Sequence, residues 1–404
     1  MVIGIDASRA FLKRRTGIEE YAYQTIKHLR EVILPQKQVI LYVRKKIVFR
    51  NSSFHFVLPE IDFPLPFNWS VRGIWAPRFW TQIALSIEMV LHTPDILFVP
   101  AHTVPFIHPA RNATLLYSSV AVFIRKVFHR ISSCSFEHSV AGGLKKTIVT
   151  IHGLEYEFCK DSYSFLDRLY MQLSIRFSCS ASEAVICVSE NTKKDVMRLY
   201  DVPEEKIHVI YEGYENTYDA SDAKYSIQDT PYLLFIGRLE ERKNIIRIIE
   251  AFNILKREKN IPHRLVLVGK PGYGYERIAS SIFHSPSSIY ITEMGYVDEA
   301  EKWELLRGAD VFLFPSLYEG FGIPVLEAQS VGVPVVTSAV SSLPEVGGER
   351  GAMYMNPKSA ESIREGVWKV LSEKNLRNGI IEKATQNVSR FGWVRCAEEI
   401  GEML

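Results

Sequence analysis

Short, continuous apolar runs recur along the chain, and a turn and a helical pattern follow each of them. Unbroken runs of Val, Ile and Leu are typical of strands buried on both faces, as in parallel sheets covered by helices. Alternation of such strands with helices predicts right-handed crossovers and doubly wound α/β sheets. The runs form a first set at residues 2–6, 39–43, 95–100, 147–153, 184–189 and 206–213, and a second set at 232–237, 264–269, 288–295, 310–315 and 333–338.

A polar segment separates the two sets of predicted strands. Residues 214–230 are rich in Asp, Ser and Asn and show no periodicity, which favours an interdomain linker. A length of 404 residues also suits two domains, so we predict a first domain over residues 1–213 and a second over 231–385. Two Rossmann-like halves of this kind face each other across a cleft at the carboxyl ends of both sheets, where such folds bind ligands.

The charge and cysteine content argue against several classes of protein. The net charge is only +2, so no bulk electrostatic attraction to nucleic acid exists and we expect no nucleic-acid partner. The five cysteines are scattered without a C-x-x-C pair. This pattern favours a reducing compartment and argues against a disulfide framework or a zinc site. The expected location is therefore the cytoplasm.

Neither a secretory signal nor a membrane span is expected. The chain starts with MVIGID, a predicted strand with no basic region ahead of an apolar stretch. The longest apolar candidate, residues 83–92, is too short to cross a bilayer and contains Glu88.

Two cations follow the first strand of the second domain. In YLLFIGRLEERKN, Arg238 and Lys243 lie between a buried strand and the start of a predicted helix. An anion is favoured there, because unpaired N–H groups and the helix dipole point towards it. A planar guanidinium and a compact ammonium together suit a diphosphate. The alternative is that both are solvated loop cations.

Two acids and two glycines follow a later strand. Glu319 and Glu327 enclose the sequence GFGIP, in which Gly320 and Gly322 allow a ligand to approach the backbone closely. Pro324 suits the first turn of a helix, which places Glu327 about one turn further on. Taken singly, Glu327 could complement the helix dipole and Glu319 could be an ordinary loop acid, but these readings leave the paired glycines unexplained.

These motifs together resemble the donor domain of a known family. The strings GRLEERKN, VLVGKPGYGYE, GYV and GADVFLFPSLYEGFGIPVLEAQSVGVPVVTSAVSSLPEV are similar to those of retaining GT-B-type glycosyltransferases of glycosyltransferase family 4. The R-x-x-x-x-K pair and the pair of glutamates separated by seven residues have the family's spacing.

The first domain matches the same family in the same order. Residues 16–29 resemble its glycine loop and first helix, residues 150–158 its histidine segment, and residues 188–196 and 209–213 the segments that follow. The end of the chain, residues 386–404, resembles the family's terminal helix, which crosses back to the first domain. The resemblance covers nearly everything outside residues 44–95 and 110–145.

The chain departs from the family pattern in two places. The family's first loop often has two adjacent glycines, whereas Thr16 precedes Gly17 here. The family histidine is often followed by aspartate, whereas Gly153 follows His152. Both departures lie on the acceptor side.

The resemblance implies roles for individual residues. Glu319 and the backbone at Phe321 and Gly322 should hold hydroxyls of the donor sugar, and Glu327 should hold the ribose hydroxyls. His152 should reach the donor sugar from the first domain, unless it is a structural histidine. The remaining residues implied in the donor site are Gly17, Gly237, Tyr296, Gly320 and Ile323.

The resemblance also implies a reaction. Breaking the anomeric bond of a sugar nucleotide moves negative charge onto the diphosphate, and Arg238 and Lys243 could stabilise that charge in the transition state. No metal ion and no cofactor beyond the donor substrate are expected. Glu319 could act as nucleophile, or the leaving phosphate could assist a front-face attack. A GDP-linked mannose-type donor is predicted, with a UDP-hexose as the alternative.

The acceptor side and the partners are predicted less directly. Residues 123–130 interleave cations with aromatic rings, and Trp69, Trp75 and Trp80 lie near Arg72 and Arg78. Such a face can lie on an anionic membrane and would suit a lipid-linked glycan acceptor in cell-surface polysaccharide synthesis, although an ordinary amphipathic core helix with a solvated basic face explains it more simply. A sugar phosphorylase, an epimerase and a non-catalytic nucleotide-sugar-binding protein are the other classes considered.

Overall fold

The structure is a computed structural model, which describes residues 1–13, 15–50, 53–76, 80–106, 146–215 and 230–404. Most of the predicted linker, the predicted insertion at 110–145 with its basic aromatic stretch, and Arg78 lie outside these residues.

The first sheet has seven parallel strands in the order β5-β2-β1-β6-β7-β8-β9. Its central strands are fully buried, as their unbroken apolar sequences predict. A separate antiparallel hairpin joins β3 to β4. The strands are β1 (Val2–Asp6), β2 (Gln38–Arg44), β3 (Lys46–Arg50), β4 (Ser53–Val57), β5 (Trp69–Ile74), β6 (Ile96–Val99), β7 (Lys146–Ile151), β8 (Ala184–Cys187) and β9 (Ile207–Val209).

The second sheet has six parallel strands in the order β12-β11-β10-β13-β14-β15. The strand order reverses direction beside β10, and ligands of such sheets bind at this point. The strands are β10 (Tyr232–Ile236), β11 (Arg264–Val268), β12 (Ile291–Gly295), β13 (Val311–Phe314), β14 (Val335–Ser338) and β15 (Met353–Met355).

Helices cover both faces of both sheets. A π-helical segment, Trp80–Leu85, leads into the second of them. The α-helices are α1 (Gly17–Val32), α2 (Ser86–Leu91), α3 (Glu155–Phe158), α4 (Phe165–Ala181), α5 (Glu190–Tyr200), α6 (Ile245–Lys259), α7 (Tyr275–Phe283), α8 (Glu299–Gly308), α9 (Ile323–Ser330), α10 (Leu343–Gly347), α11 (Ala360–Ser372), α12 (Lys374–Val388) and α13 (Trp393–Met403).

The predicted fold class is confirmed: two doubly wound parallel sheets face each other across a cleft. Every apolar run that predicts a strand contains one. The hairpin β3–β4 and the strands β5 and β15 were not predicted. β5 is partly polar and lies at the sheet edge, and β15 has only three residues, so neither produces an unbroken apolar run.

The last helix belongs to the core of the first domain. Trp393, Cys396 and Ile400 of α13 are buried in one cluster with Tyr21 and Leu29 of α1. The last helix thus packs against α1, as the predicted crossing back of residues 386–404 requires, and the domain boundaries themselves stay a prediction.

Direct contacts hold the two domains together. The carbonyl of Gly320 accepts hydrogen bonds from Ser189 Oγ at 2.7 Å and Thr192 Oγ1 at 3.2 Å, across the cleft. Tyr318 donates its hydroxyl to Asp195 Oδ2 at 2.8 Å and stacks on Phe158 with ring centroids 4.6 Å apart. The cleft is thus closed around the glycines that follow β13.

Candidate active site

The loop after β10 is held in place before it reaches the cleft. Asn244 adopts a left-handed conformation with φ 65°, and its buried amide donates to the carbonyls of Pro315 at 2.9 Å and Pro357 at 2.7 Å. The backbone N–H of Leu317 donates to the carbonyl of Arg242 at 2.9 Å. These bonds tie the loop to the carboxyl ends of neighbouring strands and direct the side chains before Asn244 towards the segment after β13.

Two cations and two carboxylates form a cluster where the loop after β10 meets the segment after β13. Lys243 Nζ lies 2.6 Å from Glu319 Oε1, and an Arg242 guanidinium nitrogen lies 3.1 Å from Glu319 Oε2. Arg242 also contacts Glu240 at 2.8 Å and donates to the carbonyl of Tyr318 at 2.9 Å. Glu319 is only 7% exposed, and each of its oxygens contacts one of the two cations.

The cluster shifts the ionisation of its members. Burial alone would raise the pKa of Glu319, but the charges of Lys243 and Arg242 outweigh it and lower that pKa to about 2. Burial lowers the pKa of the Lys243 ammonium, although Glu319 opposes the shift. Burial likewise opposes the charge on Arg242, but the carboxylates of Glu319, Glu155 and Glu240 raise its pKa.

Arg238, the other predicted cation, is placed differently. Its side chain is exposed at the carboxyl end of β10, and its stem lies against Gly272, where an added Cβ would be 2.7 Å from Arg238 Cγ. It makes no ion pair with any residue that the structure describes. The neighbouring Gly237 has φ 157°. Arg238 is therefore available to an incoming anion, whereas Lys243 is held by Glu319.

The glycines after β13 bring the two domains into contact. A side chain on Gly320 would overlap the carbonyl of His152 in the first domain, so only glycine fits there. The N–H groups of Phe321 and Gly322, just before α9, donate to no atom that the structure describes. Unpaired N–H groups at a helix start favour a ligand with oxygen acceptors.

The apolar residues of this segment are packed against the first domain. The Phe321 ring lies 6.2 Å from that of Tyr211 and 5.6 Å from that of Phe391. Ile323 packs against the same cluster. The side chains therefore anchor the segment and leave its backbone for the predicted hydroxyl contacts.

Glu327 is paired with a neighbouring helix. Its Oε1 lies 2.9 Å from Lys302 Nζ, and Lys302 also contacts Glu299 at 2.7 Å. Burial would lower the pKa of Lys302, but Glu327 and Glu299 raise it, so the ion pair persists at neutral pH. The second oxygen of Glu327 accepts no hydrogen bond from the described residues and can bind a hydroxyl.

Tyr296 lies at the far end of the same sheet edge. Its ring is 56% exposed after β12, and Lys270 Nζ, which follows β11, lies 4.4 Å above the ring centre. A flat, exposed ring beside a cation suits stacking with an aromatic base.

His152 lies at the end of β7 but uses both ring nitrogens inside the first domain. Nδ1 is 2.9 Å from Glu212 Oε1, and Nε2 is 3.1 Å from the carbonyl of Pro100. Both partners are acceptors, so the ring donates from both nitrogens only when it is protonated. Its contact with a donor sugar stays a prediction.

Gly17 is the first residue of α1, and nothing lies within 4 Å of the Cβ it lacks. The Glu19 carboxylate accepts from the backbone N–H of Thr16 at 2.9 Å and holds the start of the helix. The space beside Gly17 is open, as the predicted contact with phosphate or acceptor requires.

The first domain contains a cavity of about 1040 Å³ at the carboxyl ends of its strands. Asp6, Arg9, His102 and Glu155 line it together with aromatic rings such as Trp80. Such a mixture of polar groups and rings suits a sugar. Burial, and then the nearby His152, lower the pKa of His102, so this ring is neutral.

Arg242 is a site residue that the sequence pattern did not indicate. The spacing pointed to Arg238 and Lys243, whereas Arg242 is the second cation on Glu319. The signal was present, since three cations follow the same strand. Sequence alone does not show which of them turns towards the acid.

Two further observations bear on predicted partners. Among the described residues, no group of three or more His, Cys, Asp or Glu side chains could hold a metal ion. Within the same residues, no helix is both long and apolar enough to cross a bilayer.

The fold is that of the GT-B glycosyltransferases. Residues 218–387 match the family model described as glycosyl transferases group 1, and residues 127–217 match the model described as glycosyltransferase family 4. The chain belongs to the family 4 glycosyltransferases.

Curated relatives support this assignment. An O-antigen chain mannosyltransferase B of Escherichia coli is 29% identical over 63% of this chain and 69% of the relative. An uncharacterized glycosyltransferase of Methanocaldococcus jannaschii is 30% identical over 65% of this chain and 71% of the relative.

Solved structures share the fold over the full length. Sucrose-phosphate synthase from Thermosynechococcus elongatus aligns with a TM-score of 0.69 at 16% identity, over 100% of this chain and 98% of that chain. Anabaena HepE, in complex with UDP and glucose, aligns with a TM-score of 0.65 at 15% identity over the same shares.

Proposed function

We propose that this glycosyltransferase moves a mannose-type hexose from a nucleotide-diphosphate sugar, GDP-linked, to a glycan or lipid-linked glycan acceptor. The reaction retains the anomeric configuration, needs no metal ion and serves the synthesis of a cell-surface polysaccharide. The curated relatives support the sugar and the pathway, because several of them are named mannosyltransferases and two are O-antigen chain mannosyltransferases.

One observation carries the proposal: Lys243 contacts Glu319 at the cleft, with Arg238 exposed on the same loop. The arrangement offers cations for a diphosphate and a carboxylate for a sugar hydroxyl within one site. When the donor binds, its diphosphate competes with Glu319 for Lys243, and Glu319 is released to accept from the sugar. Arg242 stays on Glu319 and keeps it oriented.

The same groups favour the transition state over the bound donor. As the anomeric bond breaks, negative charge grows on the diphosphate, where Arg238 and Lys243 meet it. The N–H groups of Phe321 and Gly322, which donate to no described atom, donate hydrogen bonds to oxygen atoms of the donor beside them. A nucleophilic Glu319 would form a covalent glycosyl-enzyme, whereas front-face attack would form none.

The donor and the reaction are tested together. Thermal shifts with GDP and UDP report the base, because a ligand that binds only the folded protein raises Tm. Transfer from GDP-mannose and from UDP-hexoses to octyl α-mannoside, with and without EDTA, reports the donor and any need for metal. The anomeric configuration of the product is read by NMR. UDP-dependent transfer would replace the GDP proposal, and binding without hydrolysis or transfer would indicate a non-catalytic sugar-nucleotide-binding protein.

The proposed peripheral contact with the cytoplasmic face of a membrane has a separate basis. Residues 123–130 lie outside the described part of the chain. Trp69 and Trp80 are buried and unavailable to lipid, whereas Trp75 is 47% exposed. Flotation with anionic liposomes at low salt tests the contact, and failure to float with them would remove it.

A further inference from the structure

One carboxylate oxygen at the cleft has no hydrogen-bond partner in the described part of the chain. Glu155 opens α3, just after β7, and lines the cavity of the first domain. Its Oε2 is shielded from solvent and accepts no hydrogen bond from any residue that the structure describes. Two residues on, Glu157 accepts from Gln172 and Tyr200, both at 2.9 Å. A buried carboxylate oxygen without a donor is unfavourable unless a ligand or an ordered water supplies one.

The backbone before Glu155 explains why its carboxylate lies there. A Cβ on Gly153 would be 2.8 Å from Glu155 Oε2 and 2.9 Å from the Cα of Gly320 in the other domain. Position 153 therefore has no room for a side chain while the domains are in contact. The carboxylate of Glu155 occupies the space beside position 153. It is at position 153 that the family pattern often has an aspartate.

Glu155 also lies at the junction of the two domains. Its charge is the second-largest contribution, after Glu319, that raises the pKa of Arg242 in the second domain. In the first domain, burial and then the charge of Glu155 raise the pKa of Tyr163, another residue of the cavity wall. One carboxylate thus borders both the cavity and the Arg242–Glu319 pair, where an acceptor in the first domain meets a donor in the second.

A neighbouring histidine offers the complementary group. His102 Nδ1 accepts from the backbone N–H of His152 at 3.3 Å, so the proton of this neutral ring is on Nε2. His102 lines the same cavity. An acceptor oxygen and an N–H donor on one wall match the hydroxyls of a neutral sugar, whereas a carboxylate would repel a phosphate.

We propose that Glu155 binds the acceptor substrate by accepting a hydrogen bond from a hydroxyl of its terminal sugar. This inference rests on the proposed function and assigns an acceptor-binding residue to it. The group recognised is a sugar hydroxyl and not a phosphate of the acceptor. Donor binding and donor hydrolysis do not depend on this contact.

The test compares Glu155→Gln and Glu155→Ala with wild type, using octyl α-mannoside as acceptor probe and GDP-mannose as donor. Loss of a charge-assisted bond is expected to lower kcat/KM for the acceptor about 10- to 100-fold. Donor KM and acceptor-free donor hydrolysis should stay within about twofold of wild type. Glu157→Gln, outside the cavity wall, is the matched control and should keep the acceptor kinetics.

Other outcomes separate the possibilities. Unchanged acceptor kinetics in Glu155→Gln, or a raised donor KM with normal acceptor KM, would overturn the assignment while the transferase proposal stands. Wild-type protein without transfer from any GDP- or UDP-sugar would instead refute the proposed function. Circular dichroism and Tm identify a variant that fails to fold, and the nearly isosteric Glu155→Gln then decides.

Discussion

The ammonium of Lys243 lies 2.6 Å from the carboxylate of Glu319, and the pair joins two loops that are 76 residues apart in sequence. Both residues follow central strands of the second sheet, β10 and β13, which are direct neighbours. The contact places a cation and an acid at the same point of the sheet edge. The charges of the cluster also balance, because Arg242 and Glu240 add one cation and one carboxylate to the pair.

The first prediction concerns acid stability. The pKa of Glu319 falls from its ordinary 4.5 to about 2 in the folded protein, since Lys243 and Arg242 outweigh the effect of burial. A lowered carboxyl pKa stabilises the fold above pH 4.5, and this stabilisation is lost as pH falls towards 2. The contribution at neutral pH is on the order of 3 kcal/mol.

Urea unfolding of wild type and Glu319→Gln at several pH values checks this. The variant should be less stable at pH 7, and the gap in free energy of unfolding should narrow below pH 4.5. Glu258→Gln serves as control, because Glu258 is paired with Arg257 on an exposed surface. A gap that stays constant with pH would contradict the predicted shift.

The sequence was sufficient to expect Lys243 and Glu319 at the same sheet edge. It was not sufficient to identify the other members of their cluster. The buried strands are visible in the sequence as apolar runs. Parallel strands end at the same edge of a sheet, so the residues that follow neighbouring strands are expected to lie close together. Which cation turns inward depends on the left-handed Asn244 and its bonds to Pro315 and Pro357. Such contacts between residues far apart in the chain produce no periodic pattern in the sequence, so they cannot be predicted from it.

The partners of the predicted site residues were also not foreseeable. Lys302 lies 25 positions before Glu327 and pairs with it only because α8 and α9 pack side by side. Glu212 lies 60 positions after His152 and meets its ring only because β7, β8 and β9 are neighbours. The resemblance to the family pointed to Glu327 and His152, and tertiary packing alone decided which residues hold them.

The second prediction concerns Arg242, the cation that the motif did not identify. Arg242→Lys loses the fork that joins Glu240, Glu319 and the carbonyl of Tyr318. Because Glu319 loses its orientation, kcat should fall at least 10-fold while the donor KM changes little. Arg257→Lys, on an exposed surface, is the control. A raised donor KM with normal kcat would assign Arg242 to binding instead.

The third prediction concerns Arg238. Its guanidinium is exposed and makes no ion pair with the described residues, so Arg238→Ala should leave Tm within about 2 °C of wild type. Loss of charge-assisted bonds to a diphosphate should raise the Kd for GDP about 10- to 100-fold, measured by calorimetry. Equal Kd values for variant and wild type would show that Arg238 is a solvated loop cation.

The fourth prediction concerns closure of the two domains. The Glu345 carboxylate, in α10, accepts from the backbone N–H of Glu190 at 2.7 Å and of Asn191 at 3.2 Å, so one domain caps helix α5 of the other. An acid at a helix start is favoured by the free N–H groups and the dipole, and removing such a cap costs about 1–2 kcal/mol. Glu345→Ala should therefore shift the domains towards an open arrangement.

Small-angle X-ray scattering of the free protein measures this shift as an increase in the radius of gyration. The Tm should fall by only a few degrees, because Glu190 is exposed and Asn191 only half-buried, so neither belongs to a hydrophobic core. Glu365→Ala is the control, because it removes an exposed acid that pairs with Lys369 within α11. This variant should leave the scattering unchanged. If Glu345→Ala scattered like wild type, the remaining contacts of Gly320 and Tyr318 would be sufficient to keep the cleft closed, and Glu345 would have no role in closure.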